Sequence, residues 1–369
     1  MGFWSACRTF GRLHAAKRAF DQEKQNHPLT YLFWETTLAC NLACRHCGSR
    51  CSPEEARQKD LPGSEVKRVF HEIAEDFDAN KITIAVTGGE PLTRKDVFDV
   101  MGDAVKLGYF WGMVTNAVLV DEKVVDKMEK AGMGTISVSI DGDAESHAFL
   151  RGSVENFDRA MKGLRCLIER AKFLECVQVT SVIHAKNLHL LETLYERFAD
   201  MGVGEWRVLL ADPIGRMLDP ENRELILGGD GIARLLDFVA EKRKGGRMPM
   251  TFEESGFLGL KYEGAVRGYY FHCPAGINIG GLMHDGKIGA CPSIERHMIE
   301  GDALTERFSK VWNERFLRYR DREGHRRKGP CLKCKWWNHC EGGSLHLWDW
   351  DKNESRLCHY NLMKQAGCL

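Results

Sequence analysis

The sequence predicts an α/β fold: a partial (β/α)6 barrel followed by a cysteine-rich C-terminal domain. Three observations carry that expectation. Strand and helix signals alternate six times between residues 31 and 210, the order that builds a parallel sheet covered by helices. Cys40, Cys44 and Cys47 follow the first strand signal at spacings of four and three. A second field, Cys331, Cys334, Cys340 and Cys358, lies beyond the alternating region.

A chain of 369 residues suits a barrel-sized domain with an appendage. Residues 1–26 read as an N-terminal helical extension, 27–245 as the barrel and 246–369 as the cysteine-rich domain. Lysine plus arginine equals aspartate plus glutamate at 52 each, so no overall field favours nucleic acid or an anionic membrane. No apolar run reaches membrane-spanning length, and the N-terminus lacks a signal-peptide core. Fourteen clustered cysteines without such a signal point to metal binding in a reducing, cytoplasmic compartment. Leu13, Ala16 and Phe20 recur at helical spacing, which predicts a short helix packed on the barrel. Its basic residues Arg8, Arg12, Lys17 and Arg18 read as a solvated face.

Strands are expected at residues 31–37, 81–87, 110–115, 135–140, 176–183 and 205–210, where β-branched and aromatic residues concentrate. Between them, Ser64 is a candidate cap for a helix with the apolar stripe Val66, Val69, Phe70, Ile73 and Phe77. Thr93 with Asp96 suggests a capping box. Further helices are expected at 121–131, 155–170 and 190–198. Residues 221–246 lead out of the barrel, with a linker at 242–246. Asp285-Gly286 reads as a hairpin turn, and 304–319 as a helix carrying Trp312.

Working residues of parallel barrels gather at the C-terminal strand ends. There lie the cysteine loop, Gly88-Gly89-Glu90-Pro91, Thr115-Asn116, and Ser137, Ser139 and Asp141 with Arg151 soon after. Three closely spaced cysteines can wrap one soft-metal centre. A cubane cluster has four irons, so three thiolates leave one iron open. A zinc knuckle is the rival reading, and it needs a fourth ligand.

The loop Cys40-x3-Cys44-x2-Cys47 and the Gly88–Pro91 segment resemble those of the radical S-adenosylmethionine (SAM) superfamily. The resemblance implies a [4Fe-4S] cluster on Cys40, Cys44 and Cys47 whose open iron chelates SAM. Reductive cleavage then yields a 5′-deoxyadenosyl radical that takes hydrogen from a substrate. It further implies cofactor contacts at His46, Gly88, Gly89, Glu90, Pro91, Thr115, Asn116, Ser139, Asp141 and Arg151. His46 stands where the family usually has an aromatic residue. Pro213-Ile-Gly215-Arg216 resembles a loop that closes near adenine.

The C-terminal pattern is similar to the SPASM/twitch extension of the same superfamily: Cys273, a hairpin, Cys291, a helix with Trp312, then C-x2-C-x5-C and a final cysteine. It implies an auxiliary [4Fe-4S] cluster on Cys331, Cys334, Cys340 and Cys358; from spacing alone a zinc ribbon is the alternative. Ser344 replaces a ligand of a second auxiliary cluster, which leaves Cys273 and Cys291 as doubtful ligands. Cys7, Cys51, Cys166, Cys176 and Cys368 read as spare, and Trp336, Trp337, Trp348 and Trp350 as packing around the auxiliary site.

The expected substrate is a peptide or protein, and the expected electron donor a flavodoxin or ferredoxin. Tetrapyrrole side-chain decarboxylation is an alternative, as is formylglycine formation, although Pro292 stands after Cys291 where sulfatase-maturing enzymes have an aspartate. A zinc- or iron–sulfur-stabilised interaction protein is the non-enzymatic alternative.

Overall fold

The computed structural model describes residues 3–57, 59–253 and 256–369, without side-chain detail for residues 3–9 and 325. Cys7 and Arg8, named above, fall outside those described side chains. Six strands follow the predicted order: β1 (Tyr31–Glu35), β2 (Thr83–Thr87), β3 (Phe110–Thr115), β4 (Thr135–Ser139), β5 (Cys176–Ile183) and β6 (Glu205–Leu210). All pair in parallel with their sequence neighbours.

The sheet does not stop there. β7 (Met250–Phe252) adds in parallel beside β6, and β8 (Ile279–Leu282) adds in parallel beside β1. β9 (Lys287–Gly289) and β10 (Gly301–Asp302) continue antiparallel beyond β8, giving ten strands in one open sheet. The segment after residue 245 therefore completes both flanks of the barrel. Its hairpin turns at Gly286, whose φ of 88° suits glycine.

Outward-facing residues of the strands form the core with the surrounding helices. Trp34 meets Phe70 of α2 (Gly63–Asp76) edge-on at 5.7 Å, and Trp206 meets Phe198 of α7 (Leu191–Met201) at 5.4 Å. Inward residues are more polar. Ser137 bonds Thr180 across the strands at 2.6 Å, and Arg207 donates to Thr180 at 3.1 Å. Ser137 is thus a cross-strand partner in the barrel lumen.

Several local expectations are corrected. The N-terminal helix (Phe3–Asn26) spans 24 residues, and its described side chains pair with the C-terminal domain instead of the six barrel strands. Phe20 stacks on His272 at 4.4 Å, and Lys17 and Lys24 pair with Glu341 at 3.1 and 2.6 Å. Apolar spacing showed the buried face but not its partner. Pro62 occupies the cap of α2 and Ser64 makes no cap bond. Asp96 is drawn to Arg94 instead of a capping box, and the helix starts only at Val97. Residues 242–245 are not a linker: Gly229–Gly245 is one helix. The predicted 304–319 helix breaks at Phe316 into Phe308–Arg315 and Leu317–Arg320.

Candidate active site

The loop between β1 and the next helix brings Cys40, Cys44 and Cys47 onto a cavity of about 540 Å³. The same cavity is walled by Gly88, Gly89, Glu90, Thr115, Asn116, Ser139 and Arg151, and by His46 and Cys51. Each of the three sulfurs has an N–H directed at it. Leu42 N donates to Cys40 Sγ at 3.4 Å, Cys51 N to Cys47 Sγ at 3.2 Å, and Arg151 Nη1 approaches Cys44 Sγ at 3.9 Å. Such donors stabilise thiolates. Burial pushes the Cys40 thiol up to about 12, while the Cys51 thiol, by hydrogen bonding, holds Cys47 below its usual range. Cys51, read as spare, therefore supports a neighbour at the site.

The two glycines also bring two backbone segments together. Gly88 has φ 136°, and a Cβ on Gly89 would stand 2.0 Å from the carbonyl oxygen of Ala39. Gly89 N donates to Thr37 O at 2.7 Å and Glu90 N to Ala39 O at 3.0 Å. The segment after β2 is thus zipped against the entry of the cysteine loop. Only glycine lets the backbones come this close.

Glu90 is buried, and burial raises its pKa against donors from Asn116 N at 2.8 Å, Thr115 Oγ1 at 2.8 Å and Leu92 N at 3.2 Å. Its carboxylate ties the ends of β2 and β3 together. Asn116 in turn reaches Asn41 at 2.8 Å. Pro91 and Asp141 do not line the cavity. Pro91 starts a short 3-10 turn. Asp141 lies behind the wall, accepting from Val182 N at 2.8 Å and from Arg151 Nε. Burial would raise the Asp141 pKa, yet the Arg151 guanidinium holds it well below the carboxylate range.

Arg151 thereby faces Cys44 and, at 3.3 Å, His46 Nε2. Removing its counter-charge leaves a buried cation alone. Asp141→Asn is expected to cost roughly 3–5 kcal/mol, read as a lower urea midpoint; a midpoint equal to wild type would refute the pairing.

His46 separates two cavities. The second, about 840 Å³, shares His46, Cys47 and Gly88 with the first and extends to Asp212, Glu253, Ser293 and His346. Burial drives the His46 imidazole down to about 3, so it is neutral; its buried Nδ1 has no partner.

Asp212 escaped sequence reasoning, and Arg216 stood out only as part of a loop resembling one that closes near adenine. Arg216 donates to the carbonyls of Cys44 (2.7 Å), Arg50 (2.9 Å) and Cys51 (2.6 Å), clamping the cysteine loop from the β6 side. Asp212, at the end of β6, accepts from His359 at 2.9 Å and His346 at 3.3 Å. Burial would raise Asp212, but the two imidazoles hold it low. Its position at a strand end, in Leu210-Ala-Asp212-Pro213, was the available signal.

In the C-terminal domain Cys331, Cys334, Cys340 and Cys358 all line one cavity of about 1050 Å³ with Trp336, Trp337 and Ser344. Cys273 and Cys291 do not line it. Cys273 Sγ instead accepts from Leu345 N at 3.5 Å. Trp348 and Trp350 stand off the cavity, Trp348 over Arg326 and Trp350 against Tyr319. Among the described residues no three His, Cys, Asp or Glu side chains gather at single-ion distance.

Thiols on the open end of a parallel half-barrel, each met by an N–H, define a soft-metal enzyme site. The radical SAM superfamily model matches residues 34–198. Over 354 residues the chain is 25% identical to the AdoMet-dependent heme synthase of Nitratidesulfovibrio vulgaris, covering 91% of this chain and 93% of that protein. It is 27% identical over 322 residues to the mycofactocin maturase MftC of Mycobacterium tuberculosis, covering 85% and 78%. The solved structure of anSMEcpe with bound AdoMet and Cp18Cys peptide superposes with a TM-score of 0.69 at 17% identity, covering 92% and 95%, a likeness of fold.

The chain carries a radical SAM domain at residues 34–198. It is a radical SAM enzyme that uses SAM and iron–sulfur chemistry, with SPASM/twitch-type maturases among its relatives. The first cavity fits those cofactors: three thiols with N–H donors, and an orphaned imidazole nitrogen beside them. No helix among the described residues is long and apolar enough to cross a membrane.

Proposed function

We propose that this enzyme modifies a peptide or protein by hydrogen abstraction. The observation that carries the reading is the wall of the second cavity. Its described lining includes the carboxylates of Asp212 and Glu253 and no lysine or arginine. A neutral or cationic stretch of polypeptide suits that wall, because like charges brought together in a confined site repel. Similarity to a PqqA peptide cyclase, 25% identical over 84% of this chain, supports the class. A tetrapyrrole with carboxylate side chains is the second reading, favoured by similarity to the heme synthase over 91% of this chain; the two carboxylates of that wall count against it.

In this reading Cys40, Cys44 and Cys47 would hold a [4Fe-4S] cluster, with SAM beside it in the same cavity. When bound, the pair supplies the 5′-deoxyadenosyl radical. The chain's own residues do the rest. His46, Gly88, Ser139 and Arg151 line the place of the nucleoside, with Asp141 aiming Arg151. Glu90 joins Thr115 and Asn116 to the cysteine loop. Cys331, Cys334, Cys340 and Cys358 hold the auxiliary [4Fe-4S] cluster, and a flavodoxin or ferredoxin of a reducing cytoplasm is the donor.

An oxidative outcome requires a proton acceptor at the substrate. The His346 imidazole, held in place by Asp212, offers one on the cavity wall. Asp212→Asn is expected to keep 5′-deoxyadenosine formation while modified product falls about 10²-fold or more. Product at the wild-type rate would remove Asp212 from this role.

The reading is tested by anaerobic reconstitution. About eight irons per chain and SAM cleavage are expected. The holoenzyme, reduced and supplied with SAM, is then offered a cell extract of peptides and, separately, a carboxylate-bearing iron porphyrin. A mass change on a polypeptide supports the proposal, and a decarboxylated porphyrin in its place overturns it.

A further inference from the structure

The C-terminal domain buries two guanidinium groups that no carboxylate bonds among the described residues. Arg326 is 0% exposed and Arg322 1%. Arg326 donates from Nη2 to the carbonyls of Gly342 (2.8 Å) and Gly343 (3.2 Å), and its guanidinium lies 5.0 Å from the Trp348 ring. Its Nε and Nη1 have no partner. Arg322 bonds the carbonyls of Tyr319 and Cys273, and its Nη1 is likewise unpartnered. A cation so placed is unfavourable unless an opposite charge stands nearby.

What stands nearby is sulfur. The groups whose ionised forms would favour the Arg326 cation, against burial and the neighbouring Arg322, are the thiols of Cys273, Cys340 and Cys331. On Arg322 they are Cys273, Glu341 and Cys340, and Glu341 is already engaged by Lys17 and Lys24.

The backbone is shaped to the same end. Glu341, Gly342 and Gly343 are three successive residues with positive φ, at 48°, 85° and 74°. This left-handed turn directly after Cys340 folds two carbonyls onto Arg326. A Cβ on Gly342 would stand 3.1 Å from Nη2. Gly342 and Gly343 also line the four-cysteine cavity, so the guanidinium sits one backbone layer behind it.

We propose that Arg326, seconded by Arg322, is the built-in counter-charge of the auxiliary cluster and raises its reduction potential. The inference rests on the reading that Cys331, Cys334, Cys340 and Cys358 hold a [4Fe-4S] cluster. Such a cluster with four thiolates is a net anion, and one-electron reduction adds a further negative charge. A fixed cation in a low-dielectric surround therefore favours the reduced form. Arg326 is a positioning residue for charge and touches no substrate. The effect suits an auxiliary centre that accepts an electron.

The test is a redox titration followed by electron paramagnetic resonance, in the full chain with Cys40, Cys44 and Cys47 replaced by alanine so that one cluster remains. This parent is expected to hold about four irons. Arg326→Met is expected to keep the iron and lower the midpoint potential, with Arg326→Lys falling between. An unchanged midpoint in Arg326→Met at full iron overturns the proposal and leaves the cluster reading intact. If the methionine variant holds no iron while the lysine variant does, the counter-charge role is supported. If neither does, the arginine serves packing and the proposal fails. A parent that takes up zinc and no iron would overturn the cluster reading, and this inference with it.

Discussion

Replacing Cys40, Cys44 and Cys47 together with alanine is expected to leave a folded chain that forms no 5′-deoxyadenosine and holds about half the wild-type iron. The three thiols lie on one short loop and line one cavity. Cys51 is the one other cysteine among the described residues of that cavity, and a single thiolate cannot stand in for three. The four C-terminal cysteines line a separate cavity, so their iron should persist. Iron analysis and product chromatography check both halves. Retention of SAM cleavage would show that the chemistry lies elsewhere.

Gly89→Ala is expected to produce nearly the same silence through one methyl group. The added Cβ would lie 2.0 Å from the oxygen and 2.6 Å from the carbonyl carbon of Ala39, the residue immediately before Cys40. Both are backbone atoms and cannot swing aside. Relief requires the strand end and the cysteine loop to part, at about 1–3 kcal/mol or more. A shift of about 1 Å at a reacting centre costs on the order of 10²-fold in rate. SAM cleavage should therefore fall by about that factor, while C-terminal iron stays. Gly228→Ala, where an added Cβ meets nothing within 4 Å, is the control and should behave as wild type. Equal activity in Gly89→Ala would mean that the zip between Gly89 and Thr37–Ala39 does not hold the loop.

The barrel strands were legible because their apolar outward residues, such as Trp34 and Trp206, leave a local signature that packing does not overturn. β3, β5 and β6 begin and end where the sequence places them. The added strands β7 and β8 were not legible. They have three and four residues, too short to show alternation, and each exists because it pairs with a strand far away in sequence. Caps failed where a competing partner won: Arg94 takes Asp96 out of the expected capping box.

The site divides in the same way. Cysteine spacing pointed to the cavity, because residues on one short loop stay together whatever the path of the rest of the chain. Gly88 and Gly89 stood out, but their physical reason, contact with Thr37 to Ala39, is a tertiary fact. Arg151 and Asp141 were singled out, whereas their pairing behind the wall depends on the path of the helix Ala144–Arg151. Asp212 and Arg326 were missed because their partners are brought to them by the tertiary fold, and the loop motif that contains Arg216 did not reveal its hold on the cysteine loop.

The account depends on a metal corner that no protein atom takes. The direct measurement is the paramagnetic resonance spectrum of the reduced chain with Cys331, Cys334 and Cys340 replaced by alanine, recorded before and after SAM is added. The account predicts a clear change in the signal of the remaining cluster, because the nucleoside binds its open iron. An identical spectrum at full iron loading would mean that a side chain already fills that position, and would contradict it.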